Sequence, residues 1–541
     1  MRKRWVRFAA PMMVLALLAA CSGGGGSAEE EESGDGAVTL TTFVSVPPRI
    51  EDISTNEVTK YIEQKLNIRF KFDAAPSANA EDKKKLMMAS GDYPAVFLSG
   101  NFTQAEQIEY GQQGILKPLN DLIEQYGVEI KRAFAEDSEL KAAITAPDGN
   151  IYALPHVNEC FHCWYSQKLW INKGWLDKLG LKLPTTTEEY YEVLKAFKTG
   201  DPNGNGQQDE IPLTGAFNTW HAIPANFLMN SFIYNNDENF FIMENGKVKL
   251  AANQPEWRDG LAYINRLYSE GLIDKEAFTQ NGDQLQQLGN RDGDNLIGSV
   301  TAGHIGMAFS IAEGETRHKD YVTVPPLTGP KGVAYAGFYK SYGNGNFAIT
   351  NKASEAEAIA AIKLADYLYS EEHAIMNEYG FEGKYYEKAK PGELDVHGNP
   401  AKYTVKPEYA SIGTTLNDIW DQMGITRRTR AIRESWTAPD DPFSPTGYEY
   451  RLFMETANHY EGREPEETFP LSIFMDAADA KEANQLRTQI NDYIRSNLAQ
   501  FVTGSRQLTD AEWDSYVKGF DGLKLDRYLE IYQNAYDQLN K

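Results

Sequence analysis

The sequence predicts an α/β protein with a parallel β-sheet and more than one lobe, and three observations support this fold class. Strand-like and helix-like segments alternate from residue 38 onward, and the second half of the chain is rich in amphipathic helices. The length of 541 residues exceeds the roughly 100–200 residues of one domain. No repeat of 20–50 residues is visible in the sequence, which argues against solenoids and propellers.

The first twenty residues predict a secretion signal. Four basic residues precede the short apolar stretch Val14–Leu18, which is too short for a membrane span of about 20 residues. The ending Leu18-Ala19-Ala20-Cys21 resembles the lipobox of bacterial lipoproteins, in which the chain is cut before the cysteine and the thiol carries a diacylglycerol. This resemblance implies a signal peptide over residues 1–20 and lipidation of Cys21.

Residues 21–37 are interpreted as the lipidated cysteine and a flexible tether, because Ser22–Ser27 is rich in Gly and Ser and Glu29–Glu32 is a run of acids. Removal of the signal leaves 49 Lys and Arg against 77 Asp and Glu, a net charge of −28. Such acidity, without a basic patch, argues against nucleic acid as a partner. We expect an extracytoplasmic protein. It is held at the cell membrane by its lipid rather than by its charge.

The exported chain begins with a strand–helix–strand pattern. The β-branched run Val38–Phe43 predicts a strand, apolar residues at four-residue spacing predict a helix over 58–66, and the alternating Ile68–Phe72 predicts a second strand. A helix over 82–89 and a buried strand over 95–98 continue the pattern. This alternation is typical of a parallel sheet.

The second half of the chain predicts mainly helices. Residues 353–369, 476–499 and 526–539 each carry apolar residues at helical spacing and a charged opposite face. The loops between such segments are rich in Pro, Gly and Asp, and no long linker divides the globular part. We therefore expect the lobes to share several crossing segments.

The stretch from 201 to 210 predicts a structural calcium site. Oxygen-bearing side chains fall at alternate positions as in an EF-hand loop, and Gly206 occupies the position of the sharp turn. Position 12 of the loop is Pro212 rather than a bidentate Glu, so Asp209 or Glu210 must complete the shell. A solvated Asn/Gly turn is the alternative interpretation. The candidate calcium ligands are Asp201, Asn203, Asn205, Gln207, Asp209 and Glu210.

Cys160 and Cys163 form a single CxxC pair. A zinc site would have to recruit His156 and His162, and a thioredoxin-like role would require a βαβ context. A local disulfide or two buried thiols are the simpler interpretations, and an extracytoplasmic location permits the disulfide. The sequence contains no serine-hydrolase elbow, zinc-protease helix or P-loop motif.

Aromatic residues are the main indication of a ligand. Several rings lie in polar, loop-like surroundings rather than on an apolar stripe, and sugar rings stack their C–H faces on such rings while their hydroxyls pair with polar side chains. For each ring, packing in the core is the alternative. The candidate ligand-binding residues are Trp220, Trp436, Trp164, Tyr342, Tyr339, Asp92 and Arg433.

Short motifs that span most of the exported chain are Ala89–Pro94, Gly114–Leu119, Asp148–Pro155, Leu169–Leu181, Pro184–Thr187, Phe501–Gly504 and Tyr528–Gln533. Together they resemble the solute-binding lipoproteins of bacterial ABC importers, specifically the large oligosaccharide-binding type related to alginate-binding proteins. The resemblance implies a periplasmic-binding-protein-like fold of class II, with two α/β lobes joined by a hinge and a ligand cleft between them. It also implies a calcium loop at the position of residues 201–210. Gly174 departs from the Asp usual in this family, and the two cysteines are not a family feature.

We accordingly expect an N-terminal lobe of residues 38–165 and about 305–345, and a C-terminal lobe of about 166–304 and 346–541 with a helical extension. By the resemblance, the protein is a monomer that binds an oligosaccharide in the cleft and delivers it to the permease subunits of an ABC transporter, without catalytic activity. Ligand contact with both lobes would favour a closed form. The alternatives are a binding protein for another solute such as a peptide, or a secreted polysaccharide-degrading enzyme.

Overall fold

The computed structural model describes residues 36–217, 219–407, 409 and 415–539. The predicted signal peptide, Cys21 and the tether up to residue 35 lie outside the described residues. Within the described residues, no helix is both long and apolar enough to cross a membrane. The described chain folds as two α/β lobes, each with its own sheet and hydrophobic core.

The first elements follow the predicted alternation of strand and helix. β1 (Val38–Val46) leads through α1 (Glu57–Leu66) to β2 (Ile68–Pro76), and the two strands pair in parallel. The Asn56 side chain accepts a hydrogen bond from a backbone amide in the first turn of α1, and Asn67 ends the helix in the left-handed conformation. The predicted βαβ unit is therefore confirmed.

The later elements are distributed over both lobes. Up to residue 269 they are α2 (Ala80–Ser90), β3 (Val96–Phe97), α3 (Gln104–Gln112), α4 (Asn120–Tyr126), α5 (Glu129–Glu136), α6 (Ser138–Ile144), β4 (Leu154–Pro155), β5 (Val157–Asn158), α7 (Phe161–Trp164), β6 (Leu169–Asn172), α8 (Lys173–Lys178), α9 (Thr187–Thr199), α10 (Pro224–Met229), β7 (Phe241–Glu244), β8 (Lys247–Leu250) and α11 (Pro255–Ser269). They continue as α12 (Gly282–Gly289), β9 (Ser299–Thr301), β10 (Tyr321–Val324), β11 (Gly345–Ile349), α13 (Glu355–Leu368), α14 (Glu371–Tyr379), β12 (Tyr386–Lys388), β13 (Tyr403–Val405), β14 (Arg427–Arg428), α15 (Arg430–Arg433), α16 (Tyr448–His459), α17 (Ala477–Thr503), α18 (Asp510–Gly522) and α19 (Leu525–Leu539).

Each lobe is built on one main sheet. The sheet of the first lobe has the strand order β2-β1-β3-β11-β4, in which β1 pairs in parallel with β2 and β3, and β11 runs antiparallel to both of its neighbours. The sheet of the second lobe is antiparallel and has the order β10-β6-β9. The parallel β5–β14 pair joins the segment that leaves the first lobe to a segment that returns to it later.

The chain crosses between the two hydrophobic cores three times. Buried residues of 36–157 pack with those of 342–436, and most of those of 161–338 pack with those of 448–539. The sequence-based division, with about 305–345 in the first lobe and 346–541 in the second, therefore needs correction. β10 hydrogen-bonds to β6 in the second lobe, and α13 packs on β1 and α4 in the first. These long-range pairings leave no trace in local periodicity.

The helical extension belongs to the core of the second lobe. α17 packs along α11 and α19, and α19 also contacts β8. The buried residues Ile490, Ile494 and Phe501 of α17 contribute to the same cluster as Trp257 of α11. The extension therefore fixes the position of α17, which forms one wall of the site described below.

The start of α13 carries a capping box that positions this central helix of the first lobe. Ser354 Oγ accepts a hydrogen bond from the Glu357 backbone amide, and the Glu357 carboxylate accepts one from the Ser354 amide at 2.8 Å. Behind this cap, Ala361, Ile362 and Leu368 are fully buried. The cap thus fixes the register of a helix that packs directly on the parallel sheet.

Replacing Ser354 with Ala should lower the free energy of unfolding by about 1 kcal/mol, because the Glu357 amide loses its side-chain acceptor at the helix start. Ser354→Asp should retain most of the stability, since Asp is an equally good cap. Urea unfolding followed by circular dichroism measures both. An alanine variant as stable as the wild type would show that the cap contributes nothing.

Candidate functional site

A cleft of about 560 Å³ lies between the two lobes. The first lobe contributes the start of α3, Thr103–Ala105, whereas the second lobe contributes Trp220 and His221 from a loop and Asn484 and Arg487 from α17. Its volume lies within the range of small-molecule sites. The cleft can therefore hold a ligand that contacts both lobes at once.

An interlobe strap, defined as residues 468–475, forms one side of the cleft. Its residues Phe469–Ser472 also border a second cavity of about 540 Å³ on the other side. Ser472 Oγ accepts a hydrogen bond from the Tyr342 backbone amide at 3.2 Å, and Phe474 packs into a hydrophobic cluster of the first lobe with Phe97 and Phe102. The strap thus ties the second lobe to the first beside the cleft.

Trp220 presents an indole ring to the cleft. It is 41% exposed, whereas most large apolar side chains of this lobe are buried. Its inner face lies directly against Gly303, where a Cβ atom would come within 2.3 Å of the indole. The ring centroid lies 6.1 Å from that of His304. This predicted residue therefore has both a rigid support and an accessible surface.

Tyr339 lines the same cleft and is held by polar partners. Its hydroxyl donates to Asp237 at 2.7 Å and accepts from the Gln167 amide at 3.1 Å. The ring also lies 3.9 Å from the His221 ring, measured between centroids. Burial raises the pKa of Tyr339 well above its ordinary value, and the negative charge of Asp237 adds to the effect. Tyr339 is thus a fixed, neutral part of the cleft wall.

Tyr342 and Trp164 lie outside the lining of the main cleft. The Tyr342 hydroxyl donates to Asp137 at 2.7 Å, and the residue borders the second cavity beyond the strap. Trp164 is half-buried and meets Phe338 edge to face, with 6.4 Å between centroids, while the Lys340 ammonium lies 5.8 Å from its ring. Both residues therefore shape the crossing segment rather than the main cleft.

Two other predicted ligand-binding residues lie away from the cleft. Trp436 is only 8% exposed and packs between the rings of Tyr379 and Tyr403, at 4.4 and 5.2 Å between centroids, so the prediction of a sugar-stacking role for it is wrong. The polar neighbours of Trp436 in the sequence do not reveal that β12 and β13 cover it. Asp92 is exposed on the turn after α2 and does not line the cleft.

Arg433 belongs to an ion pair that bridges the lobes. Its guanidinium donates to Glu449 at 2.7 Å and to Asn158 at 3.1 Å, and His162 Nε2 lies 3.2 Å from the same Glu449 oxygen. Burial alone would raise the pKa of Glu449, but His162 and the charges of Arg433 and Arg428 hold it well below its usual range. Glu449 and His162 carry no sequence signal for this pairing, since three distant segments bring the groups together.

Cys160 and Cys163 form a disulfide, which confirms one of the two simpler interpretations. Cys160 is buried, whereas Cys163 lines the cleft. His162 Nε2 lies 3.3 Å from Cys160 Sγ, and the three side chains form a compact group of metal-type donors. In the disulfide form the two sulfurs are bonded to each other and are not available as thiolate ligands. His156 is not part of this group.

The loop after α9 brings the predicted calcium ligands close together in the second lobe. Asp201 Oδ1 accepts from the amides of Gly204 and Asn205, and its Oδ2 accepts from the amide of Gly206 at 3.1 Å. Gly206 has a φ of 75°, as the sharp turn of such a loop requires. None of the predicted calcium ligands lines the cleft. The loop is therefore a separate site.

Glu210 distinguishes this loop from an ordinary solvated turn. Both of its carboxylate oxygens are buried without a hydrogen-bond partner among the described residues. Burial and then the negative charges of Asp201 and Asp209 raise the pKa of Glu210. The Asp209 carboxylate accepts bonds from the side-chain amides of Asn203 and Asn205 at 3.0–3.3 Å. A carboxylate with two unpartnered oxygens near two further carboxylates fits a hard divalent cation.

Comparison with known proteins gives one family. Residues 51–375 match the model of the family described as bacterial extracellular solute-binding protein. The chain is 28% identical over 520 residues to the fructooligosaccharide ABC transporter substrate-binding protein FusA of Streptococcus pneumoniae serotype 4, and the match covers 91% of this chain and 89% of FusA.

Solved structures of similar proteins share the fold over nearly the whole chain. FusA in complex with kestose has a TM-score of 0.73 at 26% identity, covering 93% of this chain and 99% of FusA, and a FusA EF-hand mutant is also known. An extracellular solute-binding protein from Bifidobacterium longum subsp. infantis has a TM-score of 0.77 at 26% identity, covering 94% and 100%. The alginate-binding protein AlgQ2 without calcium ion has a TM-score of 0.64 at 25% identity, covering 92% and 98%.

Replacing Phe474 with Ala should loosen the interlobe strap, because its buried ring is an apolar contact that the second lobe makes inside the first. We expect a larger radius of gyration for the variant, measured by small-angle X-ray scattering without ligand. Ile473→Ala is the matched control, since Ile473 packs on the core of its own lobe. Equal radii for the Phe474 variant and the control would contradict the role of the strap.

Proposed function

The chain belongs to the bacterial extracellular solute-binding proteins, and we propose that it binds an oligosaccharide in the cleft between its lobes and delivers it to the permease of an ABC transporter. The observation that carries this proposal is the position of Trp220, a supported and accessible indole in an interlobe cleft with polar walls. An aromatic platform flanked by polar side chains complements the C–H face and hydroxyl rim of a sugar. The similarity to FusA over nearly the full length supports the same ligand class.

We propose binding without turnover. A ligand that touches Trp220 in one lobe and Thr103–Ala105 in the other favours the closed arrangement by its differential affinity, and closure would present the protein to the permease. The permease subunits are therefore the proposed protein partners of a monomeric receptor.

We also propose that Cys21 carries the lipid that anchors the protein to the outside of the cell membrane. The supporting observations are the basic and apolar segments before Cys21 and the Gly/Ser-rich stretch after it. The tether would let the two lobes reach the permease while the anchor keeps them at the membrane.

The loop of residues 201–210 is proposed to hold a structural calcium ion. Asp201, Asp209 and Glu210 would supply carboxylate oxygens, Asn203 and Asn205 amide oxygens, and Gln207 its backbone carbonyl. The orphaned oxygens of Glu210 support this assignment and favour Glu210 as the residue that completes the shell. An EF-hand mutant of FusA and a calcium-free form of AlgQ2 among the similar structures add support.

The Trp220→Ala variant should lose roughly tenfold to a hundredfold in affinity for the oligosaccharide, because burial of about 100 Å² of apolar ring surface is lost. A thermal-shift screen of pooled oligosaccharides and pooled peptides first identifies the ligand, and isothermal calorimetry then gives the dissociation constants.

The matched control is Phe217→Ala, since Phe217 lies three residues earlier, is 39% exposed and does not line the cleft. Its affinity should equal that of the wild type. Equal affinities of the Trp220 variant and the wild type would remove Trp220 from the site. Stabilisation by peptides but by no saccharide would overturn the proposed ligand class.

Calcium should raise the stability of the protein by about 2.7 kcal/mol when its concentration is 100-fold above the dissociation constant. Glu210→Gln should weaken calcium binding at least about tenfold, because a charged ligand is lost. Without calcium the same variant should be more stable than the wild type, since a buried carboxylate no longer faces two others. Calorimetry and thermal melts in EDTA measure these two effects.

The pH dependence provides a further check of the same site. The pKa of Glu210 is raised in the folded protein, so its protonation favours the folded state at low pH, and this contribution is lost as the pH rises through the raised pKa. Melts in EDTA should therefore show an acid-side stabilisation that Glu210→Gln lacks. Glu192→Gln, an exposed carboxylate on α9, is the control. Calcium affinity that is equal in the Glu210 and Glu192 variants would contradict the site.

A further inference from the structure

A group of polar side chains lies beside Trp220, where the two lobes meet. The His304 ring lies between Trp220 and Tyr448, with centroid distances of 6.1 and 5.8 Å. Glu449, the residue after Tyr448, forms the interlobe ion pair with Arg433. We call the surface that runs from the edge of the Trp220 indole, through His304 and Tyr448, to the Glu449–Arg433 pair the polar recess.

Glu449 is the group of this pair that faces the solvent. Protein surrounds the carboxylate on most sides, yet 60% of its side-chain surface is accessible, compared with 12% for Arg433 and 9% for His162. Both His162 and Arg433 engage Oε2. Oε1 has no hydrogen-bond partner among the described residues. A ligand in the recess thus meets an ionised carboxylate with one free acceptor oxygen.

His304 supplies a complementary donor. The Tyr448 hydroxyl accepts a hydrogen bond from the Gly306 amide at 2.8 Å. Among the described residues its only acceptor is His304 Nδ1, also at 2.8 Å, so we place the hydroxyl proton on that bond. Burial, and then the charge of His162, lower the pKa of His304 to about 4, so the ring is neutral at neutral pH. The remaining proton of the neutral ring is therefore on Nε2, which has no partner among the described residues.

We propose that Glu449 Oε1 and His304 Nε2–H, at the edge of Trp220, form the subsite for the terminal ring of a neutral oligosaccharide with two adjacent free hydroxyls. This inference rests on the proposed function and specifies its ligand class. One hydroxyl donates to the carboxylate and its neighbour accepts from the imidazole, while the ring stacks on the indole.

The same groups reject a uronic acid at this position. A ligand carboxylate would be desolvated beside the ionised Glu449, and the cation nearest to Glu449, Arg433, is largely covered and already paired. Charge-assisted hydrogen bonds are about twice as strong as neutral ones. A sugar hydroxyl that donates to Glu449 therefore gains binding energy, whereas a ligand carboxylate at the same place is repelled. The selectivity is therefore a property of Glu449 in particular.

The test uses a panel of trisaccharides with the full exported chain. Maltotriose, mannotriose, xylotriose and kestose are the neutral probes, and trigalacturonate and trimannuronate are the acidic ones. We expect calorimetry to show at least one neutral probe binding at least tenfold more tightly than either uronate. Tighter binding of a uronate would overturn the proposal, and this comparison needs no variant.

The Glu449→Gln variant keeps the size of the side chain and removes its charge. We expect about tenfold weaker binding of the neutral probe and a smaller ratio between neutral and acidic probes. Glu461→Gln is the control, since Glu461 is an exposed carboxylate paired with Arg430, and it should leave both affinities unchanged. A thermal melt of each variant shows that it is folded.

The outcomes separate this inference from the proposed function. Unchanged neutral affinity in Glu449→Gln, together with weaker binding in Trp220→Ala, would overturn the recess subsite and leave the sugar-binding function in place. No thermal shift with any of the saccharides would overturn both.

Discussion

The interlobe cleft depends on one constraint. Each lobe has its own separate hydrophobic core, although the chain crosses between the two lobes three times. β11 lies between β3 and β4 in the sheet of the first lobe. The chain therefore returns to the first lobe at β11, after it has supplied all three strands of the second lobe's sheet. Neither core extends across the crossings at 158–160 and 339–341. The surface between the cores is therefore free to be polar and to hold water or a ligand.

Opposing interactions set how far the lobes separate. Phe474 packs in the first lobe, and the ion pair of Glu449 and Arg433 joins both lobes. Each contact favours approach of the lobes, while the hydration of the exposed Glu449 carboxylate favours leaving the recess open. A sugar that replaces this hydration with hydrogen bonds shifts the balance toward closure, because it satisfies the carboxylate without water.

Local features made much of the fold predictable. The periodicities of β1, α1, β2, α13, α17 and α19 lie within single segments, and the structure confirms these elements. The assignment of 346–425 to a lobe failed because it depends on the pairing of β11 and on the packing of α13. The six oxygen-bearing residues of the loop at 201–210 are close in sequence, so that candidate site could be read directly. The cleft joins segments that are far apart in the sequence, and only Trp220 and Tyr339 of the predicted ligand residues line it.

The acidity of the chain does not by itself select the ligand. A net charge of −28 would repel anions at long range, but at physiological salt charges more than about 8 Å away are largely screened. Discrimination at the level of one sugar ring must therefore come from groups in direct contact with it. Glu449 meets this condition, because it is ionised and accessible, whereas the oxygens of Asp237 are occupied by hydrogen bonds to Tyr339, His221 and Asn226. Two carboxylates of equal charge thus have different roles. Asp237 holds the Tyr339 side of the cleft wall in place, and Glu449 is the carboxylate proposed to contact the ligand.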